Sequence, residues 1–344
     1  MHRALAGSAL AIAVTMLAAC TSSSVGTSPS STESASTSSS PSPSPSVSTP
    51  PPPPPGSALS GRIGAKNGPI LVVKLDNTPR SEPHAGLMSA DVIYLEEVEG
   101  GLSRYAAVFS TAYPKTVGPI RSARITDIEL LKQYGHVAFA YSGAQPKMLP
   151  VLRAANVSNV SDDSGGFGYR RDSGWRPPDN LFADPKVLFS RAKNVAVARN
   201  IGFTFSTTVP TGGRPVAKVT TSFPAARITF TWSPSKHRWL VARDGSPSMA
   251  TEGGQLGGST VIIQYVTVTR SIYHDVLHNY TPMSTTVGTG KALMLRDGRA
   301  YTIDWSRPTA TSGTRWTVGG QDIALAAGQV WVVLMNKTRP ATLG

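Results

Sequence analysis

The residues best suited to chemistry in this chain are arginines. Gly118-Pro119-Ile120-Arg121-Ser122-Ala123-Arg124 sets two guanidinium groups three residues apart, where a loop is expected to hand over to a helix. At that spacing Arg121 and Arg124 share a helical face. The free amides and the positive dipole end of the helix N-terminus would lie beside them. Two planar forks in that setting suit a phosphate or a carboxylate, and Arg104, at the start of a strand, adds a third cation. The same residues have a second use. Glu96, Glu97, Glu99 and Asp127 lie in neighbouring segments, and arginine–carboxylate pairs that brace a domain need these residue types too. Both readings stand at the level of sequence.

The acids raise a parallel question. On a strand, Glu97 and Glu99 point to one face and Glu96 to the other. Two carboxyls on one face, beside the Gly100-Gly101 turn, offer a general acid and base or oxygen ligands for calcium or magnesium. Glu97, Glu99, Asp127 and His136 form the candidate catalytic set; a solvated strand edge, or a set of partners for the arginines, is the alternative. The spacing completes no metal set, and neither metal nor cofactor is expected. Tyr169-Arg170-Arg171-Asp172-Ser173-Gly174-Trp175-Arg176 reads as a loop with stacking and anion-binding capacity, or as a plain exposed basic loop.

Two motifs fail on context. His274-Asp275-Val276-Leu277-His278 has the spacing of a zinc-protease helix with Asp in place of Glu, but it lies between strands and reads as a hairpin loop. Gly288-Thr289-Gly290-Lys291 resembles the end of a phosphate loop, yet Thr285 stands where glycine is required and Ala292 where Ser or Thr is. No Gly-x-Ser-x-Gly elbow is found.

The elements that must position these residues divide the chain in two. Ile70–Asp76, Asp91–Glu96, Arg104–Ser110 and His136–Ser142 read as strands. Ser122–Tyr134 reads as a helix with Ile125, Ile128, Leu130 and Leu131 inward. Asp184–Ala198 reads as another, capped by Asp184 with Pro185 at its first position. Thr207 to Arg214 looks like a linker. Beyond it the pattern is strand: 227–232, 238–243, 260–269, 291–296, 300–305 and 330–335, with a hairpin turn at Asp297-Gly298. The expected fold class is therefore α+β, an N-terminal mixed α/β half (61–208) followed by a mostly antiparallel β half (209–344). Their net charges are +5 and +8.

Ahead of both halves lies a processing signal. His2 and Arg3 precede an apolar run from Ala9 to Leu17, and Leu17-Ala18-Ala19-Cys20 is a bacterial lipobox. Cleavage before Cys20, the only cysteine, and lipidation on it would anchor the chain at the extracytoplasmic face of the membrane. Spending that cysteine excludes disulfides, zinc–thiolate sites and a cysteine nucleophile from the mature chain. Residues 21–60 are almost all Ser, Thr, Pro, Ala and Gly and read as a disordered stalk, about 130 Å at full stretch. Inside a cell, a pI near 10 would suggest nucleic acid. Outside it, the polyanions are lipid headgroups and wall polymers, so no nucleic-acid partner is expected.

Several stretches resemble the YerB-like family of bacterial lipoproteins, a two-part family of unassigned function. They are 73–77 (VKLDN), 90–94 (ADVIY), 99–105 (EGGLSRY), 118–124 (GPIRSAR) and 176–181 (RPPDNL). In the second half they are 261–264, 290–292, 297–298 and 305–307. In the fifth stretch the family pattern tends to have His where this chain has Asp179. The resemblance covers everything after the stalk and implies a two-part architecture but no reaction. Asp76, Asn77, Arg176 and Asn180, from these stretches, join Arg104, Arg121 and Arg124 as the expected ligand-binding set. The expected function is a membrane-anchored lipoprotein that binds an anionic envelope ligand through an arginine-lined cleft. An envelope hydrolase or transferase, or a structural partner of another envelope protein, are the alternatives.

Overall fold

A computed structural model describes residues 56–344, so the expected leader, Cys20 and the stalk as far as residue 55 lie outside the described residues. The stalk expected to run to Ser60 stops sooner. Leu59 and Ser60 are fully buried, and the Ser60 hydroxyl donates to Asp91 at 2.7 Å. Residues 57–60, expected as stalk, thus belong to the fold.

Three strands form the centre: β1 (Leu71–Asp76), β2 (Val92–Glu97) and β3 (Ser103–Phe109). β3 lies between the other two, antiparallel to both, so that Asp76, Arg104 and Glu96 stand in lateral register. All six residues of β1 are buried, the run-on apolar pattern of a strand covered on both faces. α1 (Ile125–Leu130) follows, then β4 (Val137–Ala140), α2 (Leu149–Ala154), β5 (Val157–Asn159), β6 (Tyr169–Arg171), β7 (Leu181–Ala183) and α3 (Pro185–Arg191). β4 pairs parallel to β1, and β5 parallel to β4.

On the other side of β2 the sheet continues into the second half of the chain. Strand Val330–Asn336 pairs parallel with both β2 and Thr260–Val266. Gly288–Arg296 and Arg299–Arg307 then extend the sheet antiparallel. Twelve strands from both halves make this one sheet. The linker expected near 207–214 is a surface loop whose end, Arg214–Pro215, pairs on the rim of the same sheet. The α+β class holds broadly, with two differences. The helices are only six or seven residues long, and the second half includes parallel pairings.

Each face of the large sheet is covered. A six-stranded sheet that includes Lys218–Phe223, Ala226–Ser233 and Arg238–Arg243 packs Phe230, Trp239 and Val241 against Leu95, Tyr105 and Trp331. The opposite face buries Val72, Tyr94 and Ala106 under Leu130, Leu131 and Tyr134. The Asp297-Gly298 turn has φ of 50° and 69°, the left-handed pair that a two-residue hairpin requires. The expected strand 260–269 breaks at residue 267, where Val268–His274 starts a separate hairpin with Tyr280–Ser284. The His274–His278 segment is its loop, organised by Asp275, which accepts the amides of Leu277 and Asn279. Gly288–Lys291 is strand, so no phosphate loop exists there. No helix among the described residues is long and apolar enough to cross a membrane.

Candidate functional site

The segment Gly118–Arg124 is extended and runs along the end of β1. Arg121 donates its amide to Lys74 O, Ile120 donates to Leu181 O, and Asp76 donates to Pro119 O. Gly118 is forced: a Cβ there would stand 2.4 Å from the Phe182 ring and 2.9 Å from Leu181 O. This overturns the shared helical face expected for Arg121 and Arg124. Arg124 is itself the helix cap, in extended conformation, and α1 starts only at Ile125. Asp127 Oδ2 accepts the Arg124 amide at 2.7 Å, so the helix start is served from within and offers no anion site.

The arginines divide. Arg124 donates Nε to Glu99 Oε2 at 2.7 Å and sets Nη2 in ion-pair contact with the same oxygen at 2.6 Å, while Thr281 donates to the other Glu99 oxygen. These charges outweigh the effect of burial and hold the Glu99 carboxyl below its usual range. Deeper in, Lys74 is fully buried between Glu96 and Asp127. Burial pushes Glu96 up to about 7 against the pull of Lys74. Arg124 and the Lys74 triad are internal braces.

Arg121 is different. Its Nε lies 3.3 Å from Asp76 Oδ2 and 3.6 Å from Asp179 Oδ1, yet makes no hydrogen bond within the protein, and the side chain is 23% exposed. Asp179 is buried, and neither of its oxygens has a hydrogen-bond donor in the chain; exposed Arg80 approaches it at 3.3 Å. Arg104 donates to Ser122 O at 3.0 Å but leaves Nε unused. It is protonated at neutral pH, although burial and the charges of Arg124 and Arg121 draw its pKa down to about 9.

The two aspartates differ in how readily they ionise. Burial, then the nearby charge of Asp76, push Asp179 up to about 6. Burial works against ionising Asp76 too, but the charges of Arg121 and Arg104 and the amide of Asn77 bring it below its usual range. That places Asp179 close to a histidine's usual range.

The other expected residues are accounted for as follows. Asn77 is buried, with Nδ2 on Ser103 Oγ at 2.8 Å and Oδ1 unpartnered. Asn180 ties its own hairpin through Arg171 at 2.7 Å, and Arg176 is exposed on that hairpin's turn, outside the cluster. The candidate catalytic set is not assembled. Glu97 pairs with Arg339 at 3.1 Å, away from Glu99, because Glu99 has already left the strand for a 3-10 turn. Asp127 is consumed by Lys74. His136 lies at the N-terminal end of β4, bonded to Asn156. The parallel register places it beyond the start of β1, about 20 Å from Asp76 at strand rise. Among the described residues no three His, Cys, Asp and Glu gather as a metal site.

Sequence reasoning missed Lys74, Arg80 and Asp179. A lysine inside an otherwise apolar buried strand calls for a carboxylate partner, which was the available signal for Lys74. Arg80 and Asp179 meet only through two loops, and spacing could not show that.

The protein of unknown function (DUF3048) N-terminal domain matches residues 57–198, and its C-terminal domain matches residues 219–332. The chain belongs to this family. It is 34% identical over 116 residues to "Putative lipoprotein YerB" of Bacillus subtilis, a match that spans 33% of this chain and 34% of that relative. The crystal structure of YerB protein from Bacillus subtilis superposes with a TM-score of 0.71 at 19% identity, covering 84% of this chain and 99% of that one. The DUF3048 fold is thus shared across both halves.

Proposed function

We propose that this DUF3048 chain is an exported lipoprotein, lipidated on Cys20, that binds an anionic envelope ligand at the Asp76–Arg104–Arg121–Asp179 cluster. One observation carries the site: its buried charged groups have hydrogen-bonding capacity that the protein leaves unspent, next to a half-buried guanidinium. Buried polar atoms are ordinarily paired, and here Arg121 Nε, Arg104 Nε and both Asp179 oxygens are not. A phosphate or carboxylate would accept from Arg121 and Arg80, and a protonated Asp179 would donate to it. The lipobox and the lipoprotein relative support the anchor at the extracytoplasmic membrane face.

The test is calorimetric titration of pyrophosphate and glycerol phosphate into the full chain in detergent. Arg121→Ala should weaken binding by about 1.5–3 kcal/mol, the worth of a charge-assisted bond. Equal affinity of variant and parent would remove the site. The split ionisation of Asp76 and Asp179 also favours a second reading, acid–base cleavage of an envelope polymer. Turnover of such a polymer that Asp179→Asn abolishes would establish it.

A further inference from the structure

The hairpin β6–β7 has a second side. Its inner turn carries Asp179 toward the charge cluster, while Arg170, Asp172, Trp175 and Phe182 border an open cleft of about 440 Å³. Lys115 and Glu252 complete the rim, the latter from the second half of the chain.

Trp175 is half-buried, its ring 4.7 Å from that of Phe182 at an angle of 58°. Phe182 is buried and backs the indole, and the Arg170 guanidinium lies 5.8 Å over the Phe182 ring. The indole is therefore held in place on one side and bounds the cleft on the other. Asp172 is fixed by the Gly174 amide at 3.0 Å, and Glu252 is fixed by the amide of Gly86. Two carboxylates and two cations thus surround an aromatic surface.

That combination selects among ligands. A bare phosphate would gain nothing from the indole, and an apolar molecule would have to strip water from four charges. A pyranose ring offers an apolar C–H face for stacking and a rim of hydroxyls that both donate and accept. We propose that this cleft is a glycan subsite: a sugar ring stacks on Trp175, donates hydroxyls to Asp172 and Glu252, and accepts from Arg170 and Lys115. The cleft stands on its own residues and does not depend on the anion site across the hairpin.

Chitotetraose and tetragalacturonate, one neutral and one acidic, would be titrated calorimetrically into the full chain in detergent. The parent should bind at least one of them. Trp175→Ala should weaken that binding by about tenfold or more, and Trp175→Phe should hold it within about threefold. Trp175→Ala should leave pyrophosphate affinity unchanged, which separates loss of the sugar contact from loss of the fold. Failure of the parent to bind either oligosaccharide at millimolar concentration overturns the subsite, whatever pyrophosphate does. Undiminished oligosaccharide binding by Trp175→Ala overturns it equally.

Discussion

Glu99 and Asp179 are both buried carboxyls beside arginines, but their surroundings differ in what is left over. Glu99 receives a hydrogen bond and an ion-pair contact from Arg124 on one oxygen and a hydrogen bond from Thr281 on the other, and neither oxygen is left unpartnered. Asp179 receives charge from Arg121 and Arg80 without a hydrogen bond from either. Its proton is held more tightly in the folded chain than in the unfolded one, since its pKa rises from 3.8 to about 6. The stability due to that proton is complete below the unfolded value and is lost as pH rises through the folded one. Asp179→Asn cannot lose a proton, so the parent should lose stability relative to the variant as pH rises through about 4 to 6. Melts of both proteins across that range would show it, and a constant difference between them would contradict the raised pKa of Asp179. Residue types made the arginines and Glu99 legible as partners. Which arginine was spent was not legible, because Arg121 and Arg124 differ in where the backbone turns and not in kind.

Strands were easier to read than helices, for a physical reason. β1, β2 and β3 are apolar runs whose ends are marked by Asp76, Asp91 and Arg104. The expected helix 122–134 shrinks to α1 and one 3-10 turn, since residues 118–124 are held extended by β1 and β7. The expected helix 184–198 keeps its Asp184 cap but ends at Arg191. Asn194 then adopts a φ of 53°, and the chain turns back to pair Val197 with Pro69. Helical periodicity cannot register such tertiary claims on the backbone. Asp91, just before β2, shows how an element end is fixed. It accepts from Ser60 at 2.7 Å, Arg62 at 3.2 Å, the Ser110 amide and hydroxyl at 2.8 Å, and the Thr111 hydroxyl at 2.6 Å. Asp91→Ala would strand these donors and should cost about 3–5 kcal/mol in a denaturant melt. A loss under about 1 kcal/mol would show that the strand ends hold without it.

At the scale of the molecule, the linker near 207–214 and the change of pattern across it lead to two expected parts, and the two DUF3048 matches lie one on each side of it. Their interleaving was not legible. Strand Val330–Asn336 enters between β2 and Thr260–Val266, a pairing between distant segments that no local pattern announces. Without it, β2 would present an apolar open edge, a known route to aggregation. A chain ending near residue 208 should therefore show no cooperative melt on its own, and co-expression with residues 209–344 should restore one. A sharp, reversible transition in the isolated N-terminal half would contradict a single shared fold.

The claim that joins these scales is that Arg124 serves the fold while Arg121 serves a ligand. Denaturant melts of Arg124→Ala and Arg121→Ala, run side by side on the full chain, test it most directly. Arg124→Ala leaves the buried Glu99 carboxylate without its partner and should lose about 3–5 kcal/mol. Arg121→Ala removes only ion pairs that lack hydrogen bonds, from a side chain that is 23% exposed, and should lose no more than about 1 kcal/mol. Equal and large losses in both variants would make Arg121 a second brace and contradict the account.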